Sequence, residues 1–367
     1  SRHHGPDLHQ GRCGILRTLA MERRGSRVVK IGPLVMGGDH PVVVQTMTKT
    51  DTRDVASTVR QIHELELRGC ELVRLAVKDT EAARALRTIK REVSVPLVAD
   101  IHFDPRLALA SIEAGVDKIR LNPSNIKDPA MLREVARTAK SASVPIRVGA
   151  NLGSMNPDLT RSERAQALAE EALREARLLE EADFHDIVVS VKSSDVREMV
   201  EAVRIVAGCS DYPLHLGVTE AGPLRQSLVK SSAGIGSLLL DGIGDTIRYS
   251  ISGDPGLEVD AAWMLLAGLD LRRHGAQIVS CPTCGRCEVP DILSLVAQLE
   301  ERLGEIVKPV TVALMGCVVN GVGEGKAADV GIACGRDQGV LFVRGEPVRN
   351  IEPSAFIDTL IAEANKL

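Results

Sequence analysis

The stretch Glu71–Val77, ELVRLAV, decides the fold. It is apolar at successive positions rather than alternate ones, as a strand covered on both faces of a parallel sheet must be, yet it carries Arg74 at its centre. The same pattern recurs in VVVQTMT (42–48), PLVADIH (96–102), KIRLNPS (118–124), PIRVGAN (145–151), DIVVSVK (186–192), LHLGVTE (214–220) and DTIRYSIS (245–252). Between these runs lie helical stretches such as DVASTVRQIHELELRGC (54–70) and RSERAQALAEEALREARLLEEA (161–182), with apolar residues at three-to-four spacing. Eight β/α units over about 230 residues predict a closed parallel α/β architecture, the TIM (β/α)8 barrel, in which active sites lie at the carboxyl ends of the strands. An open doubly wound sheet is the runner-up, but no GxGxxG follows the first strand. GIGSLLLDGIGD (234–245) lacks the Lys and Ser/Thr of a P-loop and is read as a βα loop with a short helix.

Beyond ISGDPGLEVDAAWMLLAGLDLRRHG (251–275) the pattern changes. A strand AQIVS (276–280), a helix DILSLVAQLEERLG (291–304), a strand VTVALMG (310–316), the run ADVGIACG (328–335), a hairpin GVLFVRGEPVRNI (339–351) and a helix SAFIDTLIAEAN (354–365) form a small α+β unit. The expected division is an N-terminal extension, 1–25, set aside from the fold; a barrel, 26–270; and a second domain, 271–367, with the boundary near Arg272–Gly275.

Composition narrows the function. The chain has 367 residues, 44% of them hydrophobic, enough for one large and one small domain. A net charge of −4, two Tyr, four Phe and one Trp supply neither the basic surface nor the stacking platforms of a nucleic-acid binder. No apolar run approaches the roughly 20 residues that cross a bilayer, and the first residues carry no signal-peptide core, so the expectation is a soluble, cytoplasmic protein without a membrane partner. Eight cysteines are too few for a disulfide scaffold at this length; those clustered in sequence point to metal or redox chemistry.

Ionisable residues interrupt seven of the eight apolar runs: Arg74, Asp100, His102, Arg120, Arg147, Lys192, Glu220 and Arg248. One such residue is readily a strand end reaching water, but seven strands repeating the feature place a charged set at the barrel mouth. Five cations against two carboxylates imply a ligand with several negative charges, a phosphate or diphosphate. Asn122 and Asn151 follow strand-borne arginines and would add neutral donors, or form strand-end turns. Glu220, beside the flexible AGP, is the candidate to move a proton or stabilise a cationic centre; otherwise it is a counter-ion between arginines.

The second domain carries CPTCGRC (281–287), and Cys317 stands in LMGCVVNGVGEG (314–325). A zinc ribbon needs a second CxxC or a His pair, and a dithiol redox motif leaves Cys317 unexplained. Cys281, Cys284 and Cys317 better suit an iron–sulfur cluster whose fourth ligand is Cys287, Cys334 or an oxygen. Glu324 is the oxygen candidate: NGVGEGKAAD (320–329) reads as a glycine loop able to wrap a bulky object, and a carboxylate is a displaceable ligand for iron. A loop Glu is otherwise an ordinary surface residue.

CPTCGRC, LMGCVVNGVGEGKAAD, VQTMTKTDT, ADIHF, KIRLNPSN, SVKSSD, GVTEAGP and GDTIRYSISGDP together resemble, in order and from about Arg27 onward, the 4-hydroxy-3-methylbut-2-enyl diphosphate synthase family of the methylerythritol phosphate route to isoprenoids. The chain is similar to the short bacterial form, without the insertion between modules of plant-type members; QTMTKT differs slightly from the commoner QSMTNT. The resemblance implies a barrel similar to dihydropteroate synthase, then a sulfite-reductase-like domain with a [4Fe-4S] cluster on Cys281, Cys284, Cys317 and Glu324, leaving Cys287 outside. It implies diphosphate binding by Arg74, Arg120, Arg147, Lys192 and Arg248 with Ser250 nearby, a pocket motif at Asp100 and His102, and Asn122, Asn151 and Glu220 at the reacting end. It further implies the substrate 2-C-methyl-D-erythritol 2,4-cyclodiphosphate, electrons from ferredoxin or flavodoxin, and a head-to-tail homodimer in which each cluster caps the partner's barrel. The rivals are a zinc-stabilised phosphosugar-binding or aldolase-type barrel and a non-catalytic electron carrier.

Overall fold

In the barrel strands, alternate side chains face opposite ways, and both directions are buried. One set (Val73 and Leu75, Ile119, Ile146 and Val148, Leu214 and Leu216) joins the large core beneath the helices. The other set faces the barrel axis. The computed structural model describes residues 22–151, 159–304, 306–335 and 337–367, with the side chains of Asn151 and Val318 also outside the described set.

A short antiparallel hairpin, β1 (Val29–Ile31) and β2 (Leu34–Met36), precedes the barrel. The eight parallel barrel strands are β3 (Val43–Met47), β4 (Leu72–Ala76), β5 (Leu97–Asp100), β6 (Lys118–Arg120), β7 (Ile146–Asn151), β8 (Ile187–Lys192), β9 (Leu214–Leu216) and β10 (Thr246–Ile247), closed by pairing of β10 with β3. Around them run α1 (Val55–Leu67), α2 (Thr80–Glu92), α3 (Pro105–Ala114), α4 (Pro129–Ala142), α5 (Arg161–Glu181), α6 (Val196–Cys209), α7 (Leu224–Leu240) and α8 (Gly256–Gly268). Helix starts are written locally: Asp54, Asp79, Asp104, Asp128 and Asp195 each accept a backbone N–H in the first turn, and Thr160 with Glu163 forms a capping box on α5. The hairpin, unforeseen in the sequence, plugs the amino-terminal end: Val29, Ile31 and Met36 pack on the inward-facing Val43, Leu72, Val98 and Val188.

The second sheet orders β11 (Ala276–Ser280), β12 (Val310–Met315), β13 (Val330–Cys334), β14 (Gly339–Val343) and β15 (Glu346–Ile351), the first three parallel and the last three antiparallel. Helices α9 (Ile292–Leu303), α10 (Val318–Ala327) and α11 (Phe356–Lys366) complete it. Its core is separate from that of the barrel. Among the described residues no hydrogen bond or salt bridge joins residues before Arg272 to residues after Gly275, and Arg272 itself is tied to the barrel through Glu71 and Val42.

Two local expectations are corrected. The first seven residues of GIGSLLLDGIGD continue α7, where Gly234 lets α7 approach α6; a Cβ there would meet Met199 Cε at 2.6 Å. The supposed glycine loop around Glu324 is the helix α10, two of whose glycines, Gly321 and Gly325, serve close packing. A Cβ at Gly321 would lie 2.9 Å from Ala333 Cβ, and one at Gly325 would lie 2.9 Å from Phe342 Cδ2, so these positions, four apart on one helix face, press α10 against the sheet.

Candidate active site

At the carboxyl end of the barrel a pocket is lined by Arg74, Asp100, His102, Arg120, Arg147, Lys192, Arg248 and Ser250, together with Gly149, Ser190 and Thr219. The structure thus brings together the five cations expected to bind a polyanion and Asp100, His102 and Ser250, which the family resemblance placed with them. Their common origin is register: Asp100, Arg120 and Lys192 end their strands, Arg74 stands at the centre of β4 and Arg147 second in β7, and parallel pairing sets Asp100, Arg120 and Arg147 side by side, so different strands deliver cations to one volume.

Asp100 stands among cations, with Oδ2 at 3.6 Å from Arg74 Nε and 3.5 Å from His102 Nε2, and Oδ1 at 3.6 Å from Arg120 Nη1. Burial pushes its carboxyl upward, but Arg74, His102 and Arg120 outweigh that and hold it below the usual carboxylate range. Arg74 Nε and Nη2 also lie 3.1 and 3.0 Å from Met47 Sδ, and burial lowers this guanidinium to about 10. Arg248 is braced from behind by Glu258 of α8, at 3.1 and 3.3 Å. Glu258 is fully buried and also accepts from Thr46 Oγ1 (2.6 Å), Lys49 Nζ (2.9 Å) and the Ile251 N–H (3.1 Å); burial would raise its pKa, but Arg248, Thr46 and Lys49 bring it below the ordinary value.

Arg147 differs. It is 2% exposed, and its Nε and Nη1 have no hydrogen-bond partner in the described residues. Burial and then Arg74 and Arg120 press its pKa well down, and burial with Arg147 and Arg74 does the same to Lys192. Lys192 fits because its neighbour is Gly217: a Cβ there would meet Arg248 O at 2.7 Å and Lys192 Nζ at 3.2 Å. Unpaired buried cations are costly, so this arrangement is suited to receive anionic oxygens.

Other expected residues lie apart. Glu220 does not end a strand, since β9 stops at Leu216; it is exposed in the following turn, with φ of 49°, and Thr219 rather than Glu220 lines the pocket. Such a backbone conformation in a non-glycine residue costs about 1 kcal/mol or more and recurs at functional sites. Asn122 caps the 3-10 turn after β6, and its Oδ1 is buried without a hydrogen-bond partner among the described residues. Asn151 closes β7, and its side chain lies outside the described residues. Ser190 and Gly149 were legible as the inward-phase neighbours, two residues before Lys192 and after Arg147. Glu258 carried no such signal, because it acts from a helix.

In the second domain, Ser280 pairs with Leu314, so Cys281 and Cys317 leave β11 and β12 at the same sheet end. Cys281 Sγ accepts the Gly316 N–H at 3.4 Å. A Cβ on Gly316 would fall 3.0 Å from that sulfur and 2.5 Å from Cys287 Sγ, so the two thiols flank Gly316. Cys284 is exposed, Cys317 is buried at the start of α10, and Glu324 is exposed, seven residues on and about 10 Å farther along the helix. Cys334 is buried, and burial with Cys287 and Cys281 nearby pushes its thiol up to about 12. Among the described residues no group of three or more His, Cys, Asp or Glu side chains converges closely enough to hold a metal ion. Cys281 is gathered with Cys287, not with Glu324. The donor set nevertheless fits an iron–sulfur group chemically: several thiols at one sheet end, one already receiving a backbone N–H.

Residues 26–263 match the family model described as the GcpE TIM-barrel domain, and residues 277–366 match that of the GcpE protein C-terminal domain. The chain is 48% identical over 349 residues to the 4-hydroxy-3-methylbut-2-en-1-yl diphosphate synthase (flavodoxin) of Thermodesulfovibrio yellowstonii, covering 94% of this chain and 100% of that one. To the protein of the same name from Dehalococcoides mccartyi strain BAV1 it is 49% identical over 346 residues, covering 94% and 99%. In fold, the Yersinia pestis dihydropteroate synthase aligns with a TM-score of 0.50 at 14% identity over 66% of this chain and 98% of that one. The Geobacillus kaustophilus 3-dehydroquinate dehydratase aligns with a TM-score of 0.50 at 18% identity over 68% and 98%. Two family models in tandem and near-half identity along most of the chain lead to one conclusion: the chain belongs to the GcpE family of 4-hydroxy-3-methylbut-2-en-1-yl diphosphate synthases.

Proposed function

We propose that the barrel mouth binds 2-C-methyl-D-erythritol 2,4-cyclodiphosphate and that the enzyme converts it to (E)-4-hydroxy-3-methylbut-2-enyl diphosphate. The step consumes two electrons and two protons, breaks the ring C–O bond to phosphate, and releases one water. The observation that carries this reading is the pocket of five cations facing a single lining carboxylate, Asp100. Arg74, Arg120, Arg147, Lys192 and Arg248 hold the diphosphate and stabilise the charge that collects on it as the C–O bond breaks. Ser250, Ser190 and Thr219 add hydroxyl donors, and Asp100 with His102 keeps Arg74 and Arg120 aimed inward. Asn122 and Asn151 serve the reacting end of the substrate. Glu220, poised on a strained turn at the rim, handles a proton or a cationic carbon there.

Cys281, Cys284 and Cys317 with Glu324 would hold a [4Fe-4S] cluster. When bound, such a cluster supplies single electrons and an accessible iron. Exposed Glu324 is the exchangeable member of the set, and α10 fixes its distance from Cys317. The electron donor is flavodoxin, the carrier in the relatives' names, with ferredoxin the alternative the residues leave open. The absence of hydrogen bonds between the two folded units among the described residues supports a head-to-tail dimer, in which the second domain closes over a partner's barrel and excludes water. No helix among the described residues is long and apolar enough to cross a membrane.

Anaerobically reconstituted protein tests the proposal. The expected result is visible absorbance with about four irons and four sulfides per chain, and turnover of the cyclodiphosphate with reduced flavodoxin. Colourless protein with one tightly held zinc would favour the aldolase-like rival; a loaded cluster without turnover would leave an electron carrier.

A further inference from the structure

Below the anion pocket the barrel interior contains a second polar tier that the proposed reaction does not use. Gln45 of β3, Lys118 of β6, His215 of β9 and Thr246 of β10 are each 0% exposed. Gln45 Nε2 and Oε1, Lys118 Nζ, both ring nitrogens of His215 and Thr246 Oγ1 all lack a hydrogen-bond partner among the described residues. The apolar Val43, Leu72 and Val98 are the strand neighbours of Thr246, Gln45 and Lys118 and pack with the hairpin. Lys118 is two residues before Arg120 on the same strand and shares its inward phase, so its ammonium carbon chain rises directly under the cations.

We propose that Lys118 is a proton-linked floor of the anion pocket: it is neutral in the free protein and takes one proton from solvent when a cyclic diphosphate occupies the mouth. The inference rests on the polyanion reading of that mouth. An ammonium at Lys118 would have three N–H donors, no acceptor among the described residues and no exposure to bulk solvent, whereas an amine leaves fewer donors stranded. Burial is the main force holding the amine neutral, and Arg147 and Arg74 add to it. A guanidinium holds its proton more tightly than an ammonium, so crowding among the cations falls first on the lysines. His215 beside it is also kept neutral, by burial first and then by Lys192 and Arg147. The remaining charged groups over the tier are Arg120 and Asp100, which partly offset each other, and Arg248, which is paired with Glu258. A bound dianion removes the local excess of positive charge, and the proton then becomes favourable at Lys118. Each phosphorus of a cyclic diphosphate keeps one strongly acidic oxygen, so the ligand itself neither gains nor loses a proton near neutrality.

Calorimetric binding of 2-C-methyl-D-erythritol 2,4-cyclodiphosphate to the full chain, without reductant and in buffers of differing ionisation heat, counts the protons. Wild type is expected to take up protons on binding and to lose affinity as pH rises, by up to about tenfold per pH unit. Lys118→Met is expected to bind with about one proton fewer and a slope shallower by about one. A flat wild-type profile overturns the proposal without any variant, and so does a Lys118→Met protein with the wild-type slope, which would put the proton on Lys192. Should Lys118→Met fail to fold, Lys118→Gln is read in the same way. Failure of wild type to bind the cyclodiphosphate at any pH would instead sink the polyanion reading of the pocket.

Discussion

The two ends of this molecule that carry chemistry are built to different standards of order. At the barrel mouth, side chains from five strands and from the segment after β10 converge on one pocket, with Arg74, Asp100, Arg120 and Arg248 already held by ion pairs. At the rim of the second sheet, Cys281 and Cys287 flank Gly316, while Cys284 and Glu324 stand exposed. Strand register determines the first site whether or not a ligand is bound. The second is made of loop and helix donors, which on the proposed reading would be completed by the group they hold, as ligand sites are wherever metal binding and local folding are coupled.

Replacing a cysteine at the second site should therefore have the largest effect and leave the first untouched. Cys317→Ala is expected to abolish turnover and lower the iron content from about four per chain toward zero, while cyclodiphosphate binding to the barrel persists; loss of both would show that the two sites are not independent. Arg147→Met should act in the opposite sense. With charged hydrogen bonds worth about 1.5–3 kcal/mol each, affinity should fall roughly 10- to 100-fold with unchanged cluster absorbance, and an unchanged Kd would remove Arg147 from the anion site.

Gly325→Val tests whether the two cores are energetically separate. The new side chain must enter space held by Phe342, so the second domain should lose about 1–3 kcal/mol, whereas the unfolding transition of the barrel stays in place. Glu220 sharpens the contrast within the barrel itself. Glu220→Gly should relieve a positive φ and stabilise by about 1 kcal/mol while slowing turnover; a stabilised variant with full rate makes the residue a spectator. The smallest effect concerns acid. Because the folded pKa of Asp100 is depressed, its ion pairs contribute stability that is present above the ordinary carboxylate range and lost as pH falls through the folded value. Asp100→Asn should accordingly be less stable than wild type at neutral pH, and that gap should narrow on acidification below about pH 4; a gap independent of pH would exclude the charge as its cause.

The barrel was legible because its strands announce themselves by charges set within apolar runs, and a period of two carries those charges to one volume. The same period would have found Lys118, two residues before Arg120, and Ser190, two before Lys192. What misled was glycine. In NGVGEGKAAD and GIGSLLLDGIGD it suggested loops, yet Gly321, Gly325 and Gly234 are helical and permit close packing against residues distant in the chain. Glu258 was invisible, since nothing local links a helix carboxylate to Arg248 or Thr46. Glu220 was placed at a strand end that the chain leaves four residues earlier.

From the order of residues alone came the alternation of strand and helix, the helix caps, the cationic character of one barrel end and the thiol-rich character of the second domain, all properties of short segments. Closure of the sheet decided which charges share a pocket, which are paired from behind, and that a buried lysine with no hydrogen-bond partner among the described residues stands close to them. Those outcomes depend on atoms brought together across dozens or hundreds of residues, and on the loss of water around them, which no segment of sequence contains.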